Sequence, residues 1–173
     1  MTSVLRRTAL AGLVALLAAP AALAAPPPHI SLQSYERLRT PLPYPYDEKA
    51  DAGRQVEAAR QRARRSGKRL LIDFGGNWCP DCRILAGTIE QTELKPFIDR
   101  KFEFVAVDVG GKDRGRNQDV AARYGLKIQG VPALVVVDPR TDKVLNRDQV
   151  TALADARHMS PQGLADYVAR WAR

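Results

Sequence analysis

Cysteine is almost missing from this chain: Cys79 and Cys82 are the only two in 173 residues, and histidine is as rare, with His29 and His158. A structural zinc site needs four ligands, and beyond the cysteine pair the chain offers only one histidine in a proline-rich tail and one far downstream. No metal is therefore expected. Two cysteines also cannot brace a small disulfide-stapled scaffold, and a bond between them would close so short a loop that it would constrain the unfolded chain little. The glycine-rich stretch Gly110-Gly111-Lys112-Asp113-Arg114-Gly115-Arg116 lacks the GxxxxGK[ST] order of a phosphate-binding loop and reads as a surface loop. No cofactor is implied.

What is present begins with a targeting pattern. Arg6 and Arg7 precede an alanine- and leucine-rich run that ends at Ala22-Leu23-Ala24, so residues 1–24 read as a secretory signal peptide with a small-x-small cleavage site. The run is broken by Pro20 and is too short to span a bilayer comfortably, and no cysteine follows it to carry a lipid. Export points to an oxidising compartment, the periplasm in a bacterial setting. Residues 25–47, with Pro26-Pro27-Pro28 and then Pro41, Pro43 and Pro45, read as an extended lead-in or linker able to lie across the domain surface, which leaves 48–173 as one compact domain.

The net charge of +8 is localised. Two of the basic residues leave with the signal, and Arg54 to Arg69 holds seven more against Glu57, so the rest of the chain is neutral overall. Val56, Ala59 and Ala63 fall at helical spacing within that stretch and Gly67 follows as a cap, which gives an amphipathic helix with a solvated charged face. It has no aromatic residue for stacking on bases, and no nucleic-acid partner is expected.

The chemistry lies between Leu70 and Cys82, where a short apolar run with an embedded acid, Asp73, stops at Gly75-Gly76 and delivers Trp78-Cys79-Pro80-Asp81-Cys82. The run has the character of a buried central strand. With a helix starting near Pro80, Cys79 lies at its N-terminal edge and Cys82 one turn on, roughly 5 to 6 Å away on the same face, close to the span of a disulfide. Unpaired N–H groups and the positive end of the helix dipole favour a thiolate at Cys79. Cys79 is the expected nucleophile and Cys82 the resolving thiol.

Asp73-Phe74, Trp78-Cys79 and Cys82 together resemble the active-site segment of the thioredoxin family, and Tyr124-Gly125 with Gly130-Val131-Pro132-Ala133-Leu134 resembles that family's second signature. The resemblance covers about residues 50–173. It implies a cis peptide at Val131-Pro132 facing the cysteines, with Val131 offering backbone groups to a substrate segment, and Trp78 in an apolar rim around Cys79. It also implies that Asp73 lies beneath the pair and passes a proton to or from Cys82. The lysine that often neighbours this acid is missing, since the matching part of the next strand falls near Ala106, and Gly75 stands where many thioredoxins carry a second tryptophan.

Further along, Phe102 to Val109 and Ala133 to Val137 read as strands, Asp138-Pro139-Arg140 as a turn into a strand near Lys143, Asn117 as the cap of a short helix, and Ser160-Pro161 as the start of a last helix. The order implies an α/β thioredoxin fold, a mixed four-stranded sheet with helices on both faces. The expected function is exported thiol-disulfide exchange with protein disulfides and thiols by a monomer. Asp81, next to the pair, is expected to raise the Cys79 pKa and tilt the protein towards reductase, in which case a membrane electron donor must recharge it. A disulfide oxidant or isomerase, and a non-enzymatic peptide-binding module, are the alternatives. The loop 151–159 is given no role, and His158 is expected at the surface.

Overall fold

A computed structural model of the chain describes residues 26–172; the expected signal peptide at 1–24 lies outside them. Four strands form one sheet in the order β2-β1-β3-β4, where β1 is Arg69–Gly75, β2 Phe102–Asp108, β3 Ala133–Asp138 and β4 Lys143–Val144. β1 runs parallel to β2 and antiparallel to β3, and β3 is antiparallel to β4. The sheet is therefore mixed, as the element order requires.

Alternation along β1 divides the core. Leu70, Ile72 and Phe74 join Val135 and Val137 on one face, under the helix α1 (Ala52–Ser66), which contributes Val56, Ala59 and Ala63. Leu71 joins Leu134 and Val136 on the other, under α2 (Pro80–Ile89), α3 (Leu94–Lys101) and α5 (Pro161–Arg170). A fifth, short helix α4 (Gln118–Ala122) packs Val120 and Ala121 on the α1 side. Each face buries a continuous apolar layer, which is the main driving force for the fold.

The ends follow local chemistry. Asp51 accepts from the Arg54 N–H to cap α1, and Gly67 closes it at φ 72°, a conformation that glycine adopts without a steric penalty. Ser160 accepts from the Gly163 N–H with Pro161 in the first turn of α5. Pro96 lies inside the first turn of α3, so the chain restarts a helix there instead of kinking one. The expected cap at Asn117 takes another form: the residue sits in the left-handed region at φ 56°, and its amide donates to the Asp108 carbonyl, tying α4 to the end of β2. On α1, Arg60 pairs with Glu57 and Asp142, and Arg62 and Lys68 with Glu103, so part of the basic face is balanced within the protein.

Of the two forms open to it, the lead-in takes the one that lies against the domain. Ile30, Leu38 and Tyr46 are buried, and extended backbone, which has no internal hydrogen bonds, finds side-chain partners in the domain. Gln162 accepts from the Ile30 N–H, Glu93 accepts from the Ser31 N–H, and Arg83 donates to the Leu42 and Pro43 carbonyls. Residues 26–47 are thus built into the same body as the sheet, because its helices carry the polar groups that this strap needs.

Candidate active site

β1 ends at Gly75, and the chain crosses to α2 through Gly76-Asn77-Trp78, which places Cys79 at the N-cap of α2. The Cys79 Sγ accepts from the Cys82 N–H at 3.2 Å, the role that a serine or aspartate oxygen plays at other helix starts. Across the gap, the Cys79 thiol lies 3.7 Å from the Val131 carbonyl, and the Val131–Pro132 peptide is cis. Cys79 keeps 4% of its surface exposed and Cys82 none, so a visiting group meets Cys79 first.

The two thiols are in their free form and differ in acidity. The Cys82 side chain donates to Cys79 and lowers its pKa to about 7; burial opposes this, and the helix-start N–H groups of Cys82 and Asp81 add to it. The same interaction, with burial and the nearby Asp73 charge, pushes Cys82 far up. One thiol is thus half ionised near neutrality while its partner holds a proton.

Asp73 lies 1% exposed on β1, with Ala106 and Leu134 as its register neighbours on β2 and β3. Burial pushes its pKa up to about 7, a hydrogen bond from Tyr46 pulls the other way, and the Cys79 charge adds to the rise. The Tyr46 Oη donates to Asp73 Oδ2 at 2.7 Å. Tyr46 is in turn held by Asn77, which accepts from its N–H and donates to its carbonyl. A Cβ on Gly75 would lie 2.3 Å from the Tyr46 Oη, and one on Gly76 2.4 Å from the Trp78 Nε1, so both glycines make room for aromatic rings. Trp78 is 37% exposed beside Cys79, with its indole N–H donated to the Gly110 carbonyl.

Asp81 raises the Cys79 pKa as the sequence suggests, but its charge is outweighed. Burial alone would raise its carboxyl, but hydrogen bonds and charge from Arg157 hold it below the usual range. The Arg157 guanidinium donates to both Asp81 oxygens and the Arg157 N–H adds a bond at 3.0 Å. With that countercharge, the helix-start and Cys82 donors outweigh the Asp81 charge, and the Cys79 pKa moves down instead of up. The loop 151–159 therefore has a task, to carry Arg157 to the start of α2; His158 is exposed and pairs with Asp155.

The structure brings together Asp73, Trp78, Cys79, Cys82, Val131 and Pro132 as the sequence proposes, and adds Tyr46, Asn77 and Arg157. Tyr46 leaves one sequence signal, Gly75, where a bulky residue elsewhere implies space to be filled. Arg157 leaves none, since it meets Asp81 from 76 positions away. Among the described residues no group of three or more histidine, cysteine or acidic side chains could hold a metal ion.

Comparison with known proteins agrees with this geometry. The family model described as thioredoxin-like matches residues 51–139. A crystal structure of a disulphide isomerase from Xylella fastidiosa Temecula1 is 42% identical and superposes with a TM-score of 0.68, covering 75% of this chain and 97% of that one. A thioredoxin H-type of Fagopyrum esculentum is 30% identical over 105 residues, 53% of this chain and 79% of that protein. Nucleoredoxin of Bos taurus is 28% identical over 109 residues, and the match spans only 25% of its length. With its fold, its cysteine pair and half its length matched, this chain belongs to the thioredoxin-like family and carries a CxxC-type cysteine pair.

Proposed function

We propose that the protein is an exported thiol-disulfide oxidoreductase that reduces cystines in partner proteins, with Cys79 as nucleophile, Cys82 as resolving thiol and Asp73 as the base that serves it. The observation that carries this reading is the Cys79 sulfur at the N-cap of α2 with a pKa of about 7. A thiol whose pKa is near ambient pH is both ionised and nucleophilic. In CxxC proteins the value runs from about 3.5 in a strong oxidant to about 7 in a reductase, because stabilising the thiolate stabilises the dithiol form.

The Cys79 thiolate attacks one sulfur of the partner's cystine, and the other sulfur leaves as a thiolate and takes a proton from water. Cys82 gives its proton to the Asp73 carboxylate and attacks the Cys79 sulfur of the mixed disulfide. The second partner sulfur leaves, the partner has gained two electrons, and Cys79–Cys82 is a disulfide. Trp78 and the Val131-Pro132 backbone are the surface against which an extended partner segment lies, with the Val131 carbonyl next to the reacting sulfur. Return to the dithiol needs an electron donor, and in an exporting cell that donor is membrane-bound.

A second reading, disulfide isomerase, is favoured by the 42% identity to the Xylella fastidiosa protein. The two separate on reduction potential and on substrate. A potential near about −270 mV with rapid insulin reduction supports the reductase, whereas one near about −180 mV with rescue of scrambled ribonuclease supports the isomerase. A Cys82→Ser variant expressed with the full leader should hold partners as mixed disulfides through Cys79 and recover them from the periplasmic fraction. Loss of neither activity in Cys79→Ser would overturn both readings.

A further inference from the structure

Asp73 is served by a residue from outside the sequence signatures. Three alternating positions of one segment are occupied with Tyr46: Asp73 accepts its hydroxyl, Gly75 leaves the space for its ring, and Asn77 binds its backbone at both the N–H and the carbonyl. The two carboxylate oxygens differ as a result. Oδ2 is held by the Tyr46 hydroxyl, while Oδ1 is buried and has no hydrogen-bond partner among the described residues. A buried oxygen of this kind costs stability, and such groups persist where the chemistry needs them.

We propose that Tyr46 is a positioning residue for the second half of the reaction: its hydroxyl fixes one oxygen of Asp73 and leaves the other as the acceptor of the Cys82 proton. The proposal rests on the reading of Asp73 as the base. In the step, the S–H bond of Cys82 breaks and its proton joins the Asp73 carboxylate. The electron pair left on Cys82 forms the bond to the Cys79 sulfur, and the bond from Cys79 to the partner sulfur breaks with its pair on the leaving thiolate. The charge of the reactants is conserved throughout.

The hydroxyl also sets the pH at which the acceptor exists. The groups facing Asp73 are the Tyr46 hydroxyl from the lead-in and the Cys79 and Cys82 thiols from α2, while its register neighbours Ala106 and Leu134 carry no titratable group. Burial favours the protonated acid, and the hydrogen bond from Tyr46 favours the carboxylate. Removing it raises the Asp73 pKa, so fewer molecules hold a free acceptor at neutral pH.

The test uses the full chain in the dithiol form, mixed rapidly with an excess of a symmetric aromatic disulfide that releases a coloured thiolate. The first release reports attack by Cys79 and the second reports resolution by Cys82. In Tyr46→Phe, which keeps the ring, the midpoint of the first phase should move far less than that of the second. The midpoint of the second should move alkaline by about one unit, a loss of about tenfold below neutrality that closes at high pH. Carboxyl NMR titration of Asp73 should show the same displacement. A second phase with an unmoved midpoint, whether its rate is unchanged or uniformly reduced, would overturn the proposal while Asp73→Asn still slows resolution. Unchanged resolution in Asp73→Asn would remove the base itself and the proposal with it.

Discussion

Replacing Asp73 with asparagine should stabilise the protein, and the gain should depend on pH in a form that can be worked out. The carboxyl is buried and its pKa is raised from 3.8 to about 7. Below about pH 4 it is protonated in both the folded and the unfolded chain and contributes no pH dependence. Between about pH 4 and 7 the unfolded chain releases the proton while the folded chain keeps it, so the unfolded state binds fewer protons and stability falls as pH rises. The slope is about 1.4 kcal/mol per unit over about three units, a total loss of about 4 kcal/mol, and above about pH 7 the curve is flat again. Asparagine has no such linkage. Urea denaturation of the two proteins across this range should therefore show a stability difference, variant minus wild type, that climbs by about 4 kcal/mol from acid to neutral pH on top of a constant offset. Part of the raised pKa comes from the Cys79 charge, so the climb should be smaller once the cysteines are joined. Parallel stability curves for wild type and variant between about pH 4 and 8 would refute the buried-acid argument.

Arg157→Ala removes the countercharge from Asp81, and the bared carboxylate should raise the Cys79 pKa from about 7 by about half to one unit, read as ultraviolet thiolate absorbance against pH; an unmoved titration would show that the pair does not reach the sulfur. Gly75→Ala puts a Cβ within 2.3 Å of the Tyr46 Oη, so the ring must move at a cost of about 1–3 kcal/mol, and the second phase of the rapid-mixing assay should shift with pH as in Tyr46→Phe. Leu85→Ala empties a fully buried position under α2 and should cost about 2–5 kcal/mol, seen as a lower urea midpoint at unchanged slope.

What the sequence reveals about this protein divides according to range. The buried strand β1, the α1 stripe of Val56, Ala59 and Ala63, the Ser160 cap and the CxxC pair are written in spacings of a few residues, and each is found where the spacing puts it. Asp73 and Cys79 lie on the same short segment, so their proximity follows from a strand that ends in a helix. The residues that set how acidic these groups are come from elsewhere. Tyr46 reaches Asp73 from 27 positions upstream and Arg157 reaches Asp81 from 76 positions downstream, and neither lies in a periodic pattern.

That difference explains why the sequence gives the direction of the Asp81 effect but not its weight against the opposing donors. A carboxylate next to a thiol raises its pKa less once a cation is paired with it, and that compensation is a tertiary property. The same holds for the lead-in. Proline-rich, tyrosine-containing sequence reads as linker because no periodicity marks a buried face, yet one ring from it fills the space beside Gly75 and supplies the hydrogen bond that opposes the burial of Asp73. Local pattern thus specifies which sulfurs react, while two distant side chains, one hydroxyl and one guanidinium, set the pH at which each is ready. The prediction peculiar to this arrangement is that Tyr46→Phe and Arg157→Ala act on different halves of the reaction. The first moves resolution by Cys82 and the second moves attack by Cys79, so the double variant should show a displacement in each phase.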